Sequence, residues 1–180
     1  MKSRFVLLLT ILFSGFITAQ EIKWMSMNEA LEAQKNEPKK IFMDAYTTWC
    51  GPCKMLDRNT FQNKDVAKYV NEHFYAVKFN AEGTETINYK GVTYENPNYN
   101  PNKRGRNSPH QFASYLRVQA YPTMIFFDEN GKVITPVMGY KTPTQLEIFL
   151  KMVASDDYKE VKTNQAWAEY QKNFKSTFKN

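Results

Sequence analysis

The chain has 180 residues, a formal net charge of +6 and a hydrophobic fraction of 42%. This length fits one domain with a full core. Residues 20–180 carry a net charge of +4, because Lys2 and Arg4 are the only charged side chains in residues 1–19. A positive charge of this size is too small to indicate nucleic-acid binding, so we attribute it to solubility and expect no nucleic-acid partner.

Residues 1–19 have the organisation of a signal peptide. Lys2 and Arg4 precede an apolar run, 5–17, that is too short to span a bilayer, and Ala19 supplies a small residue for cleavage. No cysteine that could carry a lipid follows this run directly. We therefore expect export to the periplasm or cell envelope, without a stable membrane anchor after cleavage.

The chain up to residue 80 alternates between strand and helix patterns. Ser26 and Glu29 have the spacing of a capping box, which predicts the start of a helix. The apolar segment 40–46 predicts a buried strand of a parallel sheet. The elements expected here are strand 21–24, helix 26–36, strand 40–46, a helix from the cysteine pair to about Thr60, a helix capped by Asn63, and strand 74–80.

Residues 81–109 form a long insertion after the third strand, rich in Asn, Gly, Tyr and Pro. Within it, 87–94 predicts a small hairpin that turns at Lys90-Gly91, and 96–107 predicts a loop. A basic cluster in this loop is expected to be solvated rather than to bind a specific anion. The cluster consists of Lys103, Arg104 and Arg106.

The last part of the chain returns to regular elements. Those expected are helix 110–118, the fully buried strand 123–127, the antiparallel strand 132–138 and helix 143–154. A C-terminal extension, 155–180, carries four aromatic residues at spacings of three and four, which predicts one more amphipathic helix. They are Trp167, Tyr170, Phe174 and Phe178. We expect this helix to pack on the domain; partner binding is the alternative.

The two cysteines of the chain, Cys50 and Cys53, lie two residues apart, directly after the buried strand. Because a helix follows, Cys50 is expected at a helix N-terminus, where unpaired backbone N–H groups and the helix dipole stabilise a thiolate. Pro52 suits the first helical turn. A thiolate at this position can attack disulfides.

Other uses of a cysteine pair fit less well. A structural zinc site needs four ligands, but there is no second pair, and His73 and His110 are distant in sequence. Attachment of a c-type haem needs histidine after the second cysteine, where this chain has Lys54. A purely structural disulfide is possible, but a bridge that closes so short a loop restricts the unfolded chain less than one that closes a long loop. We therefore favour a redox function without metal or cofactor.

The order of these features resembles the thioredoxin family over residues 21–153, apart from the insertion. Trp49-Cys50-Gly51-Pro52-Cys53 follows the second strand, and a shorter stretch, 45–81, is also similar to the C-terminal domain of the transmembrane reductase DsbD. The other matching features are Asp44, Lys78, Tyr121-Pro122 and Gly139. The resemblance implies an α/β thioredoxin-like fold for residues 20–154. It would have a central mixed β-sheet flanked by helices, the insertion after the third strand and an extra C-terminal helix.

The resemblance also implies catalytic roles. Cys50 would be the nucleophile, and Cys53, one helical turn further and more buried, would resolve the mixed disulfide. Asp44 would have a pKa raised by desolvation and accept the proton of Cys53, and Lys78 would pair with it.

The residues expected at the substrate-binding surface flank the cysteines. Pro122 would be cis with its ring against the disulfide, so that the Tyr121 backbone is free to pair with an extended client. Trp49 would shield the sulfur atoms, and Gly51-Pro52 would complete this surface.

Gly-Pro between the cysteines is typical of reducing thioredoxins, so we expect a monomeric protein-disulfide reductase. Its partners would be disulfide-containing clients and an envelope electron donor such as a DsbD-like membrane reductase. The alternatives are an oxidase or isomerase, a reductase dedicated to one client (for example in cytochrome c maturation), and a redox-inactive binding module.

Overall fold

In a computed structural model, residues 21–180 form a five-stranded mixed sheet with helices on both faces. The strand order is β1-β3-β2-β6-β7. Strands β1, β3 and β2 run parallel, whereas β6 and β7 are antiparallel to their neighbours. This confirms the expected α/β thioredoxin-like fold with a central mixed sheet. The predicted signal peptide lies outside the described residues.

The strands are β1 Trp24–Met25, β2 Lys40–Tyr46, β3 Phe74–Asn80, β4 Ile87–Tyr89, β5 Val92–Tyr94, β6 Thr123–Phe127 and β7 Val133–Met138. The α-helices are α1 Met27–Asn36, α2 Gly51–Leu56, α3 Lys64–His73, α4 Gln111–Tyr115, α5 Pro143–Ala154 and α6 Asn164–Asn173. A π-helical segment, Asp57–Phe61, continues α2, and a short 3-10 turn, Asp157–Lys159, precedes α6.

Strand β2 lies at the centre of the sheet, and its side chains alternate between two hydrophobic clusters. Phe42 packs in the cluster that holds the buried residues of α2, α3 and α5. Ile41 and Met43 pack in the other, with α1, α4 and the hairpin of the insertion. Because side chains alternate along a strand, Asp44 lies on the same face as Phe42, the face that α2 covers.

The insertion contributes to the core. Its predicted hairpin is confirmed: β4 and β5 pair antiparallel around Lys90-Gly91, whose φ angles of 52° and 76° are those of a two-residue turn that favours glycine. Ile87 and Tyr89 are almost completely buried, and the Tyr89 hydroxyl donates to the Gly131 carbonyl at 2.6 Å. The insertion therefore covers one face of the sheet.

Three predicted helices differ in extent from those observed. The helix after the cysteines changes to π-helical geometry at Asp57, and α4 ends at Tyr115 rather than near residue 118. The tail helix ends at Asn173, so the prediction that it carries all four aromatic residues is wrong. Aromatic spacing predicted too long a helix because the backbone turns to extended geometry at the C-cap residue Phe174, so that Phe174 and Phe178 lie beyond the last helical turn.

The C-terminal tail nevertheless packs on the domain, as expected. Trp167 stacks on Phe149 of α5, with ring centroids 5.3 Å apart, and Phe178 contacts Tyr69 of α3. The tail is therefore attached to the helices that cover one face of the sheet.

Glu147 of α5 holds the end of this tail. Its side chain is fully buried and accepts hydrogen bonds from the backbone N–H groups of Thr177 and Phe178, at 2.9 and 3.0 Å, and from Ser176 Oγ. It also pairs with Lys151 at 2.6 Å. Burial alone would raise the pKa of Glu147, but these donors outweigh it and lower the pKa to about 2.

We predict that Glu147→Gln lowers the free energy of unfolding at pH 7 by about 2 kcal/mol, because charge-assisted hydrogen bonds to the tail are lost. The folded-state pKa lies below the unfolded value, so this stability is present above about pH 4.5 and is lost as the pH falls towards 2. Urea unfolding at pH 7 and pH 3 measures it. Glu169→Gln, at an exposed position of α6, is the matched control, and equal losses in both variants would contradict the prediction.

Candidate active site

Cys50 and Cys53 form a disulfide at the junction of β2 and α2. Cys50 is the N-cap residue of α2, and the backbone N–H of Cys53 donates to its sulfur at 3.1 Å. Pro52 occupies the first turn, where no intrahelical partner is lost. A thiolate formed at Cys50 would therefore be stabilised by a backbone donor and by the positive end of the helix.

The two sulfur-bearing residues do not differ in burial. Each has 2% of its surface exposed, whereas the sequence predicted a more buried Cys53. Both values belong to the disulfide form of the pair. Only Cys50 lines the neighbouring cleft.

A cleft of about 590 Å³ opens beside Cys50. Four segments line it: the motif itself, each of the two ends of the insertion, and the segment before β6. The lining residues include Trp49, Gly51, Pro52, Glu82, Arg106 and Tyr121. The structure thus brings together most of the predicted substrate-binding residues around one sulfur atom.

The Tyr121–Pro122 peptide bond is cis, as the resemblance implied. The Pro122 carbonyl accepts a hydrogen bond from the Gly139 N–H at 2.8 Å, which ties this segment to the end of β7. Pro122 is buried, and of this pair only Tyr121 lines the cleft. The Tyr121 ring meets the Trp49 ring edge to face, with centroids 5.9 Å apart.

Asp44 and Lys78 occupy paired positions of β2 and β3. Asp44 has 1% of its surface exposed; its Oδ2 lies 2.8 Å from Lys78 Nζ as an ion pair, and neither carboxylate oxygen has a hydrogen-bond partner within residues 21–180. Lys78 also donates a hydrogen bond to Asp57, a residue that was not predicted to belong to the site. Asp57 follows Cys53 by four residues, which places the two on the same face of a helix. This spacing is the sequence feature from which Asp57 could have been predicted as a neighbour of the site.

Burial raises the pKa of Asp44 to about 6, although the charge of Lys78 opposes this shift. Burial alone would lower the pKa of Lys78, but Asp44 and Asp57 outweigh it and raise the pKa. Lys78 therefore stays charged, while Asp44 can exchange a proton near neutral pH.

Two charged residues of the cleft come from the insertion and were not predicted as site residues. Glu82 Oε2 accepts hydrogen bonds from the Trp49 indole and from the Asn107 backbone N–H, each at 2.8 Å. The Arg106 guanidinium carbon lies 4.5 Å from the centre of the Trp49 ring. The three basic residues of the loop are exposed, but Arg106 is in contact with the motif rather than simply solvated. No local sequence pattern indicated these contacts.

Within residues 21–180 no group of three or more His, Cys, Asp or Glu side chains is placed to hold a metal ion. In the same part of the chain, no helix has the length and apolar character needed to cross a membrane.

Comparison with known proteins agrees with this geometry. A model of the thioredoxin-like domain family matches residues 27–154. The chain is 24% identical over 130 residues to the thiol:disulfide interchange protein DsbD of Photorhabdus laumondii, covering 71% of this chain but only 18% of DsbD. It is 24% identical over 126 residues to the disulfide bond reductase DsbH of Chlamydia pneumoniae, covering 69% of this chain and 67% of that one.

Among solved structures, a thioredoxin-fold protein from Helicobacter pylori superposes with a TM-score of 0.57 at 19% identity, covering 84% of this chain and 86% of the other. This likeness concerns the fold alone. The family match spans both cysteines, the paired Asp44 and Lys78, and the cis-proline segment. This chain belongs to the thioredoxin-like family, and its Cys50–Cys53 pair is the dithiol–disulfide centre of a thiol–disulfide oxidoreductase.

Proposed function

We propose that this protein reduces disulfides of client proteins in the cell envelope, through a cycle in which Cys50 and Cys53 alternate between dithiol and disulfide. The observation that carries the proposal is the disulfide itself, at the N-terminus of α2, with the Cys50 side open to a cleft. The reducing direction is supported by Gly51-Pro52 between the cysteines and by the similarity to a protein named as a disulfide bond reductase.

The cycle starts from the dithiol form. The Cys50 thiolate attacks one sulfur of the client disulfide, which forms a mixed disulfide and releases the other client sulfur as a thiolate. The Cys53 thiol then loses its proton and attacks Cys50 Sγ. The second client thiolate leaves, the Cys50–Cys53 disulfide forms, and two electrons have passed to the client.

Asp44 is the proposed proton acceptor for Cys53. It lies on the face of β2 that α2 covers, and its pKa of about 6 lets it take up a proton at neutral pH and release it again. Lys78 is a positioning residue in this proposal. Its charge limits how far burial can raise the pKa of Asp44, and its bond to Asp57 fixes its place.

Clients are proposed to bind along the cleft. An extended client segment would pair with the Tyr121 backbone beside Pro122, while Trp49, Gly51 and Pro52 border the reacting sulfur. Electrons would return from an envelope donor such as a DsbD-like membrane reductase. The signal-peptide pattern of residues 1–19 supports this location, and we propose that the exported protein acts as a monomer.

Cysteine variants test the cycle. We expect Cys50→Ser to abolish the reduction of insulin disulfides, because the attacking thiolate is lost. We expect Cys53→Ser to accumulate mixed disulfides with clients, because nothing resolves them. Insulin turbidity and non-reducing gels with mass spectrometry measure the two effects. Full insulin reduction by either variant, once circular dichroism shows that it is folded, would contradict the proposal.

Asp44→Asn separates catalysis from stability. The folded protein binds the Asp44 proton more tightly than the unfolded chain, so wild-type stability falls as the pH rises from about 4 through 6. The variant avoids this loss, and we expect it to be about 1–2 kcal/mol more stable at pH 8 and no more stable at pH 4. We also expect it to release client about 10²-fold more slowly at pH 8, because Cys53 lacks its proton acceptor.

Urea unfolding and single-turnover client release across pH 4–9 measure both effects. The wild-type release rate should rise through pH 6 and the variant rate should lack this step. A variant that is destabilised at pH 8, or that keeps the step, would show that Asp44 does not have the proposed role.

A further inference from the structure

We propose that the two ends of the insertion form a selective wall of the cleft, in which Arg106 binds a client carboxylate beside the reacting disulfide. The wall is defined by Glu82, Arg106 and Pro109. This inference rests on the proposed function and names its substrate class: client segments that carry Asp or Glu next to the cysteine.

The wall is attached to the active-site motif. Glu82, from the first residues of the insertion, is 9% exposed and uses Oε2 to hold both the Trp49 indole and the Asn107 backbone. The chain directly after Arg106 is therefore fixed relative to Trp49. Asn96 adds a second link, since its side-chain amide donates to the carbonyls of Gly83 and Ser108.

Arg106 has binding capacity that the folded chain does not use. It lies over the Trp49 ring, which fixes its place by a cation–π contact. It is exposed and forms neither an ion pair nor a side-chain hydrogen bond within residues 21–180. Its N–H donors remain available to a molecule in the cleft.

A carboxylate is the partner that these donors fit best. The planar guanidinium offers paired N–H groups that match the two oxygens of Asp or Glu. Glu82 contributes the opposite charge to the cleft, but it is buried and its Oε2 already accepts two hydrogen bonds. An entering client therefore meets the exposed positive charge of Arg106.

The size of the cleft limits where the carboxylate can be. Cys50 and Arg106 line the same space of about 590 Å³, which is the size of a small-ligand pocket rather than of a long groove. The client sulfur and carboxylate must then come from neighbouring residues. Lys103 and Arg104 belong to the same exposed loop but do not line the cleft, so they provide matched controls.

The test uses two peptides, each with one internal disulfide. They are identical except for the residue next to one of the two cysteines, which is Glu in one peptide and Lys in the other. At low salt we expect the wild type to reduce the Glu peptide with a kcat/KM about fivefold higher than the Lys peptide. Arg106→Gln should remove this preference and Arg106→Glu should reverse it. Arg104→Glu, which makes the same charge change in the same loop, should keep it.

A second measurement does not depend on turnover. The same peptides with serine in place of cysteine are titrated into oxidised wild-type protein and followed by NMR chemical shifts, and the Glu peptide should bind more tightly. Equal binding of the two peptides would overturn the proposal, as would equal effects of Arg104→Glu and Arg106→Glu. Preferred binding of the Glu peptide without any reduction of insulin or peptide would support Arg106 binding while refuting the proposed function.

Discussion

The structure depends on one constraint: strand β2 is buried on both faces and ends at the catalytic pair. Both faces of the strand are covered: α1 and the insertion pack on one, and α2, α3 and α5 pack on the other. Asp44 is the one carboxylate in this strand; it has 1% exposure, and its partner is Lys78 on the neighbouring strand. The same packing that places Cys50 at a helix N-terminus therefore also shifts the pKa of the acid beside it.

This arrangement connects stability to chemistry. An isolated buried carboxylate is unfavourable, and a full salt bridge would hold it permanently charged. Here burial and Lys78 act in opposite directions, and the pKa of Asp44 settles near 6. The raised pKa costs the fold some stability at neutral pH, and the proposed role of Asp44 as proton acceptor depends on it.

Much of the fold could be predicted because its signals are local. The capping box at Ser26, the glycine turn at Lys90-Gly91 and the apolar strands are each specified by adjacent residues. The position of the cysteine pair at the start of a helix is likewise specified by adjacent residues. The predictions of secondary structure that failed concern the extent of helices, as at the tail helix, where the aromatic spacing continues beyond the last helical residue.

The contacts of the insertion could not be predicted in this way. Glu82 is 33 residues from Trp49 in sequence, and its hydrogen bond to the Trp49 indole depends on how the 32 intervening residues fold.

The residues between Trp49 and Glu82 are 50–81, and they include α2, α3 and β3. Arg106 reaches the same tryptophan from the other end of the insertion, after the hairpin and the loop. Contacts of this kind follow from tertiary packing, which neither periodicity nor motif spacing encodes. The proposed preference for clients with a carboxylate rests on contacts of this kind.

The most direct test of the central claim is the equilibrium redox potential of the Cys50–Cys53 pair, measured in dithiothreitol or glutathione buffers. A reductase should have a potential close to that of thioredoxin, about −270 mV, so that electrons flow from the protein to its clients. A potential close to that of the oxidant DsbA, about −120 mV, would reverse this flow and contradict the account.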